Sequence, residues 1–173
     1  MKRSFPLWQL IGFGATSLFG TLLHFLYEWT GENVFAALVS GVNESTWEHM
    51  KLLFFPAFIF AIIQSRFFKD IYNFWCIKFA GITSGLVLIP VIFYTYNGAF
   101  GKSPDWVNIT IFFVCAAVIY IMETRLYNQN FTCRYPMIAL VGLCAIAISF
   151  IVFTFFPPHI PLFQDPITKL YGI

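Results

Sequence analysis

NESTWEHMKLLFFPAFIFAII, residues 43–63, is the stretch that decides the fold of this chain. Its first nine residues contain two acids, a histidine and a lysine, and its last twelve contain no charged side chain. An apolar run of this kind, taken with its flanking residues, is long enough to cross the hydrocarbon core of a bilayer as a helix. A charged group beside hydrocarbon is costly to keep there, so residues 43–51 are the first candidates for a functional site.

The composition of the whole chain indicates an integral membrane protein. Of its 173 residues, 59% are hydrophobic, 21% are aromatic and only 10% are charged, whereas soluble domains carry roughly 25% charged residues. The net charge of +2 is too small to suggest nucleic-acid binding. We therefore expect residues 1–173 to form a single integral membrane domain, an all-α polytopic transmembrane helix bundle. About five spans fit the apolar runs, at residues 6–28, 45–64, 71–96, 106–127 and 135–156, followed by a proline-rich tail at 157–173.

The distribution of basic residues predicts the orientation of this bundle. Five spans place the two termini on opposite sides of the membrane. The end that contains Lys2 and Arg3 holds seven lysines and arginines, against three at the other end. By the positive-inside rule, the N-terminus is cytoplasmic and the C-terminus is extracytoplasmic. All three histidines and six of the eight acidic residues then fall at the extracytoplasmic end.

Two pairs of ionisable residues spaced four apart can face one space at this end. His24 and Glu28 lie near the end of the first predicted span, and Glu44 and Glu48 flank the start of the second beside His49. Mixed histidine and carboxylate sets suit zinc, manganese or iron, and a metal with an open position activates water. This hypothesis predicts His24, His49 and Glu28 as metal ligands, with Glu48 or Glu44 as the general base.

A hydrogen-bonded polar network is the alternative to a metal site. In that network Ser45 caps the second spanning helix and Glu48 completes a capping box. Lys51 would pair with Glu48 one helical turn further on. Under this interpretation the same residues stabilise the fold and bind no ion.

The spacing of Ser45 and His49 permits a third interpretation. Residues four apart on a helix can act as a nucleophile and its base, and Asp165 or Glu44 would orient the imidazole. Helix capping explains the same serine without any catalysis.

The tail contains four prolines, and its segment 158–166 carries two ionisable residues, His159 and Asp165. It can fold over the mouth of the site as a lid, excluding water and lending either residue to the chemistry. The alternative is a belt that lies at the level of the lipid headgroups.

Other polar positions are expected to be structural. The four cysteines are well separated and form no CxxC pair, so we expect neither a disulfide framework nor a thiolate metal site. Lys78, Glu123 and Arg125 lie near the cytoplasmic ends of predicted spans, where long side chains extend to water. A proton or ion path across the membrane is the alternative for these three.

Three segments give the chain a resemblance to a known family: HFLYEW at 24–29, NESTWEHMKL at 43–52 and PLFQDP at 161–166, the last followed by Tyr171 and Gly172. They resemble a bacterial family of small polytopic membrane proteins of unknown function. The likeness covers nearly the whole chain, and it implies a prokaryotic plasma membrane without implying an activity. Asn43 and Trp47 belong to its Asn-Glu-Ser-x-Trp-Glu-His core and join the candidate site residues.

These features favour an extracytoplasmic-facing site that binds or acts on a membrane lipid or a headgroup-sized molecule. In the enzymatic version the protein is a metal-assisted hydrolase or transferase. The competing interpretation is a non-enzymatic ligand-binding, transport or partner subunit, whose polar cluster fixes helix packing. A protein partner or a homo-oligomer stays open.

Overall fold

Long apolar helices dominate the computed structural model, which describes residues 4–129 and 131–173. Five of them are long and apolar enough to cross a membrane, namely α1 (Phe5–Trp29), α3 (Thr46–Ser65), α4 (Phe74–Phe100), α5 (Asp105–Asn128) and α6 (Pro136–Phe155). A short helix, α2 (Val34–Ala37), lies between α1 and α3, and a 3-10 turn at Pro161–Phe163 lies in the tail. Within the described residues, the predictions of an all-α fold and of five helices able to span a membrane are confirmed.

Local sequence explains where the helices begin and end. α3 begins after Ser45, whose Oγ accepts the backbone N–H of Glu48 at 3.3 Å, as the capping prediction requires. α4 departs most from its predicted bounds, since it starts at Phe74 and continues through residues 97–100, where we expected a loop. It ends at Gly101, whose φ of 84° is a left-handed conformation that glycine adopts without steric cost.

α3 is the central helix of the bundle. In the apolar window of α3, 72% of the residues are buried, against 17% in α1 and in α6. A helix that is apolar on all sides is stable only when other helices surround it, and α3 contacts α1, α4, α5 and α6. The outer helices keep large apolar side chains exposed, as lipid-facing helices do.

A glycine lets α1 approach α3 at the level of a proline. Pro56 lies inside α3 and has no N–H to donate to the carbonyl oxygen of Leu52. Gly20 lies against this oxygen: a Cβ at Gly20 would be 2.9 Å from it and 2.5 Å from Cζ of Phe112. A larger residue at this position would push α1 away from both α3 and α5.

The end of the bundle where α1 begins carries a disulfide, and we call it the disulfide end. Cys76, in the first turn of α4, is bonded to Cys133 in the segment before α6, with Cα atoms 6.3 Å apart. Asn73 also donates a hydrogen bond to the carbonyl of Phe131 in that segment. The expectation of no disulfide is therefore wrong, because two cysteines 57 residues apart meet where the start of α4 contacts this segment.

Lys78 and Glu123 form a buried ion pair near the disulfide end. The Lys78 Nζ lies 2.6 Å from the Glu123 carboxylate and 3.4 Å from Oε1 of Gln9, and both charged side chains are 1% exposed. The expectation that they extend to water is wrong, because aromatic rings enclose the ammonium. The ring centroids lie between 5.5 and 5.9 Å from Nζ and belong to Phe5, Phe74 and Tyr120.

Candidate functional site at the histidine end

Two adjoining cavities lie at the opposite end of the bundle, which we call the histidine end. It comprises the end of α1, the start of α3, the α4–α5 turn and the tail. Each cavity has a volume of about 490 Å³. The tail cavity is bounded by α3, α4, α5 and the tail, and the α1–α5 cavity lies between α1, α3 and α5. The two cavities share six lining residues, Glu44, His49, Asp105, Asn108, Phe112 and Ile167.

Glu44 lies between two imidazoles at the junction of the cavities. Its carboxylate is 3.7 Å from Nε2 of His24 and 3.5 Å from Nε2 of His49, and the two imidazole centroids are 5.5 Å apart. The sequence pattern paired His24 with Glu28 instead. Glu28 is exposed and lines neither cavity. The geometry therefore brings His24, His49 and Glu44 together and leaves Glu28 outside.

A backbone carbonyl orients the His49 ring. Nδ1 of His49 lies 2.9 Å from the carbonyl oxygen of Ser45. Since a carbonyl only accepts hydrogen bonds, Nδ1 carries a proton, and Nε2 is the ring nitrogen that faces Glu44. The Glu44 carboxylate at the junction accepts hydrogen bonds, so the junction suits a ligand group that donates several.

Glu48 and Lys51 lie in a buried network behind the cavities. The Lys51 Nζ is 2.5 Å from the Glu48 carboxylate, 2.8 Å from Oγ1 of Thr154 and 2.9 Å from the carbonyl oxygen of Ala37. The other Glu48 oxygen accepts from Thr154 at 3.1 Å, and the backbone N–H of Val42 also donates to Glu48 at 3.2 Å. We call this the Glu48–Lys51–Thr154 network. It ties α3 to α6 and to the α1–α3 connection, and neither charged residue lines a cavity.

The remaining candidates of the 43–51 core hold the start of α3 in place. The hydroxyl of Ser45 is used in the helix cap, and His49 contacts the serine carbonyl rather than that hydroxyl. The side chain of Asn43 accepts from the backbone N–H of Ser45 at 2.9 Å and donates to the carbonyl of Gly172 at 3.0 Å. Trp47 packs on Phe163 of the tail, with ring centroids 4.7 Å apart.

The tail folds over the histidine end, but His159 and Asp165 hold the tail itself. Asp165 accepts from the backbone N–H of Ile167 at 2.7 Å, and His159 packs on Tyr171 with centroids 4.7 Å apart. Neither His159 nor Asp165 lines a cavity, whereas Ile167 and Lys169 do. The tail thus supplies a wall to the tail cavity.

Sequence reasoning missed the part of the site that comes from the α4–α5 turn. Lys102, Asp105 and Asn108 line the tail cavity. The side chain of Asn97 orders this turn, accepting from the backbone N–H of Ser103 at 2.8 Å. The signal in the sequence was a polar, turn-forming segment connecting two spans at the end that also holds the histidines.

No group of three or more histidine, cysteine, aspartate or glutamate side chains is arranged to hold a metal ion within residues 4–129 and 131–173. His24, His49 and Glu44 come closest to such a group in chemical type. The Glu44 carboxylate lies 3.7 Å from Nε2 of His24 and 3.5 Å from Nε2 of His49.

A family model described as a family of unknown function, DUF6512, matches residues 2–173. No curated protein and no solved structure matches the chain. The predicted resemblance to a family of unknown function is thereby confirmed. The chain belongs to the DUF6512 family, whose function is unknown.

Proposed function

We propose that this protein is an integral membrane protein that binds an amphipathic molecule with a polar headgroup at its histidine end. The observation that carries the proposal is the junction of the two cavities, where Glu44 and His49 border a polar and an apolar space at once. Their volumes of about 490 Å³ each lie within the range of ligand sites, about 300–1,000 Å³.

The polar part of the site lies in the tail cavity. Its lining includes Glu44, Asp105, Lys102 and Lys169, which are all exposed. A small number of polar groups placed around an otherwise apolar pocket is typical of sites that fix the orientation of a ligand. The polar headgroup of the ligand would occupy this space.

The apolar part of the site opens toward lipid. Phe25 of α1 and Ile109 and Phe113 of α5 line the α1–α5 cavity and are 41%, 57% and 38% exposed. On a spanning helix, apolar side chains of this kind contact lipid tails. A ligand chain extending from the junction between α1 and α5 would therefore reach the bilayer without crossing water.

Retention of lipid by the purified protein tests this proposal. Native mass spectrometry of the wild type, released from detergent, is expected to show a bound lipid. Glu44→Gln and His49→Ala are each expected to reduce its occupancy at least about tenfold, the effect of losing one hydrogen bond to a charged group. His159→Ala is the matched control, because it removes an imidazole at the same end outside the cavities. Equal lipid retention by all four proteins would contradict the proposal.

A metal-assisted hydrolase or transferase is a second candidate, and the two imidazoles facing Glu44 favour it. Small movements of His24, His49 and Glu44 toward one another would provide two nitrogen ligands and a carboxylate for a divalent cation. A water bound to that ion would be activated for attack on a lipid ester or phosphoester. Glu48 is an implausible general base, because its carboxylate is buried against Lys51.

Elemental analysis tests the metal candidate. After supply of zinc, manganese or iron, the wild type and His159→Ala are expected to hold near-stoichiometric metal, and His24→Ala and His49→Ala are expected to lose it. Comparing Glu44→Gln with Glu28→Gln identifies the carboxylate ligand, and we expect only the former to lose metal. A metal-free wild type after all three additions contradicts this candidate and leaves the binding proposal in place.

We propose that the N-terminus is cytoplasmic, the histidine end faces outward and the membrane is a prokaryotic plasma membrane. Lys51 and Lys78 are buried in ion pairs, and Lys2 and Arg3 lie outside the described residues. Exposed basic residues still favour the disulfide end, with Arg66, Lys69, Arg125 and Arg134 against Lys102 and Lys169. The disulfide argues for the opposite orientation, since such bonds persist mainly in oxidising compartments.

Reporter fusions decide between these orientations. Alkaline phosphatase fused to the C-terminus is expected to be active, because the enzyme requires an oxidising compartment, and a green fluorescent protein fused there is expected to be dark. The reverse pattern would place the disulfide end outside.

A further inference from the structure

We infer that the ligand is a zwitterionic phospholipid with a primary amine in its headgroup, an inference that rests on the binding function proposed above. In this arrangement the ammonium lies at the Glu44–His49–Asp105 side of the tail cavity. The phosphate lies at the Lys102–Lys169 side, and an acyl chain extends through the α1–α5 cavity.

Charge complementarity is the first argument for a zwitterion. Two carboxylates, Glu44 and Asp105, and two ammonium groups, Lys102 and Lys169, line the tail cavity. Within the described part of the chain, Asp105, Lys102 and Lys169 form no salt bridge, and Glu44 faces only histidines. Because these side chains line one cavity without pairing with each other, a ligand that carries both a positive and a negative group can pair with them. The charges of these two carboxylates and two ammonium groups sum to zero, so a net-neutral headgroup fits better than an anionic one.

The acceptors at the junction distinguish a primary amine from a quaternary one. A primary ammonium has three N–H donors. The Glu44 and Asp105 carboxylates are acceptors on this side of the cavity, beside His49. A trimethylammonium has no donor for them and is usually bound by aromatic cages instead. The wall at this point is therefore better matched to ethanolamine than to choline.

The two lysines lie on segments whose backbone is held in place. Lys102 is followed by Ser103, which is 5% exposed. The backbone N–H of Ser103 donates to the Asn97 side chain, and its Oγ donates to the Asn108 side chain at 2.8 Å. Lys169 has a φ of 64°, and its N–H donates to the carbonyl oxygen of Asp165 at 3.0 Å. Two ammonium groups presented from such ordered segments suit a phosphate, which carries strong acceptor oxygens.

The apolar channel identifies the source of this headgroup as a lipid. A water-soluble phosphoethanolamine ester would leave the α1–α5 cavity empty, although Phe25, Phe112 and Phe113 line it. An acyl chain would fill this space and make van der Waals contacts with the rings, which the soluble ester cannot make. The lipid should therefore bind far more tightly than its isolated headgroup.

Competitive native mass spectrometry tests the inference. The wild type is presented with equimolar phosphatidylethanolamine, phosphatidylcholine and phosphatidylglycerol of identical acyl chains, with and without soluble glycerophosphoethanolamine. We expect phosphatidylethanolamine to bind at least about tenfold more than either competitor. The soluble ester should not displace it at equal concentration.

Charge variants assign the two sides of the cavity. Glu44→Gln with Asp105→Asn is expected to abolish the preference for ethanolamine over choline. Lys102→Gln with Lys169→Gln is expected to weaken both phosphate-bearing zwitterions at least about tenfold. Glu28→Gln with Lys69→Gln is the matched control, since these exposed residues lie outside the cavities. Thermal unfolding of each variant separates a binding loss from a folding loss.

The outcomes separate this inference from the function on which it rests. Equal binding of the three lipids that still depends on His49 overturns the headgroup assignment and keeps the binding function. Displacement by the soluble ester overturns the lipid source. Absence of any lipid dependent on the cavity overturns both.

Discussion

Lys51→Met is expected to destabilise the protein by about 3–5 kcal/mol, because it leaves the Glu48 carboxylate buried without its counter-charge. Lys51 is 0% exposed and Glu48 is 2% exposed. The substitution also removes the hydrogen bonds from the ammonium to Thr154 and to the Ala37 carbonyl. A large fall in the midpoint of thermal or denaturant unfolding in detergent, followed by loss of helical circular dichroism, would measure the effect.

A double substitution separates charge from packing at this site. Glu48→Gln with Lys51→Met removes both charges, so it is expected to recover much of the stability lost in Lys51→Met alone. Glu32→Gln is the control for removing an exposed charge at the same end outside the cavities, and its unfolding midpoint should stay close to that of the wild type. If Lys51→Met unfolds like the control, the Glu48–Lys51–Thr154 network does not hold the helices together.

Lys78→Met is expected to have a comparable effect at the disulfide end, again about 3–5 kcal/mol, because Glu123 is completely enclosed. Gly81 of α4 lies against Glu123, since a Cβ added there would be 2.5 Å from Cγ of Glu123. The unpaired carboxylate therefore has little room to turn toward water. Unfolding in detergent is again the measurement.

Two further variants serve as controls at the disulfide end. Lys69→Met removes an exposed lysine and should leave the unfolding midpoint almost unchanged. Lys78→Met with Glu123→Gln should be more stable than Lys78→Met alone. A single variant as stable as the wild type would show that the buried pair contributes little to the fold.

The apolar runs predicted the spanning helices because length and hydropathy determine whether a segment can cross a bilayer. The structure deviates from these predictions in two ways, one within a single helix and one between helices. α4 continues past residue 96 although Asn97 and Gly98 favour a turn; the Asn97 side chain donates to the carbonyl of Phe93 one turn earlier, and the helix ends before Gly101. The disulfide and the Lys78–Glu123 pair depend on which helices become neighbours, and helical periodicity within one segment contains no such information.

The candidate site was predictable only in part, because the sequence of one segment does not show which segments become its neighbours. The clustering of histidines and acids at one end follows from the alternation of spans, and His24 and His49 do come together there. The carboxylate beside them is Glu44 rather than Glu28, because the partner of His24 comes from the segment that precedes α3. Glu48 and Glu44 are four apart in sequence, yet one is buried against Lys51 and the other faces the cavities.

A structure from crystals grown in a lipidic mesophase that contains phosphatidylethanolamine would test most directly whether the two cavities bind this lipid. The account predicts elongated density with its headgroup between Glu44, His49 and Lys102, and with a chain between α1 and α5 beside Phe112. Two cavities that hold only water, with lipid confined to the outer surface of the bundle, would contradict it.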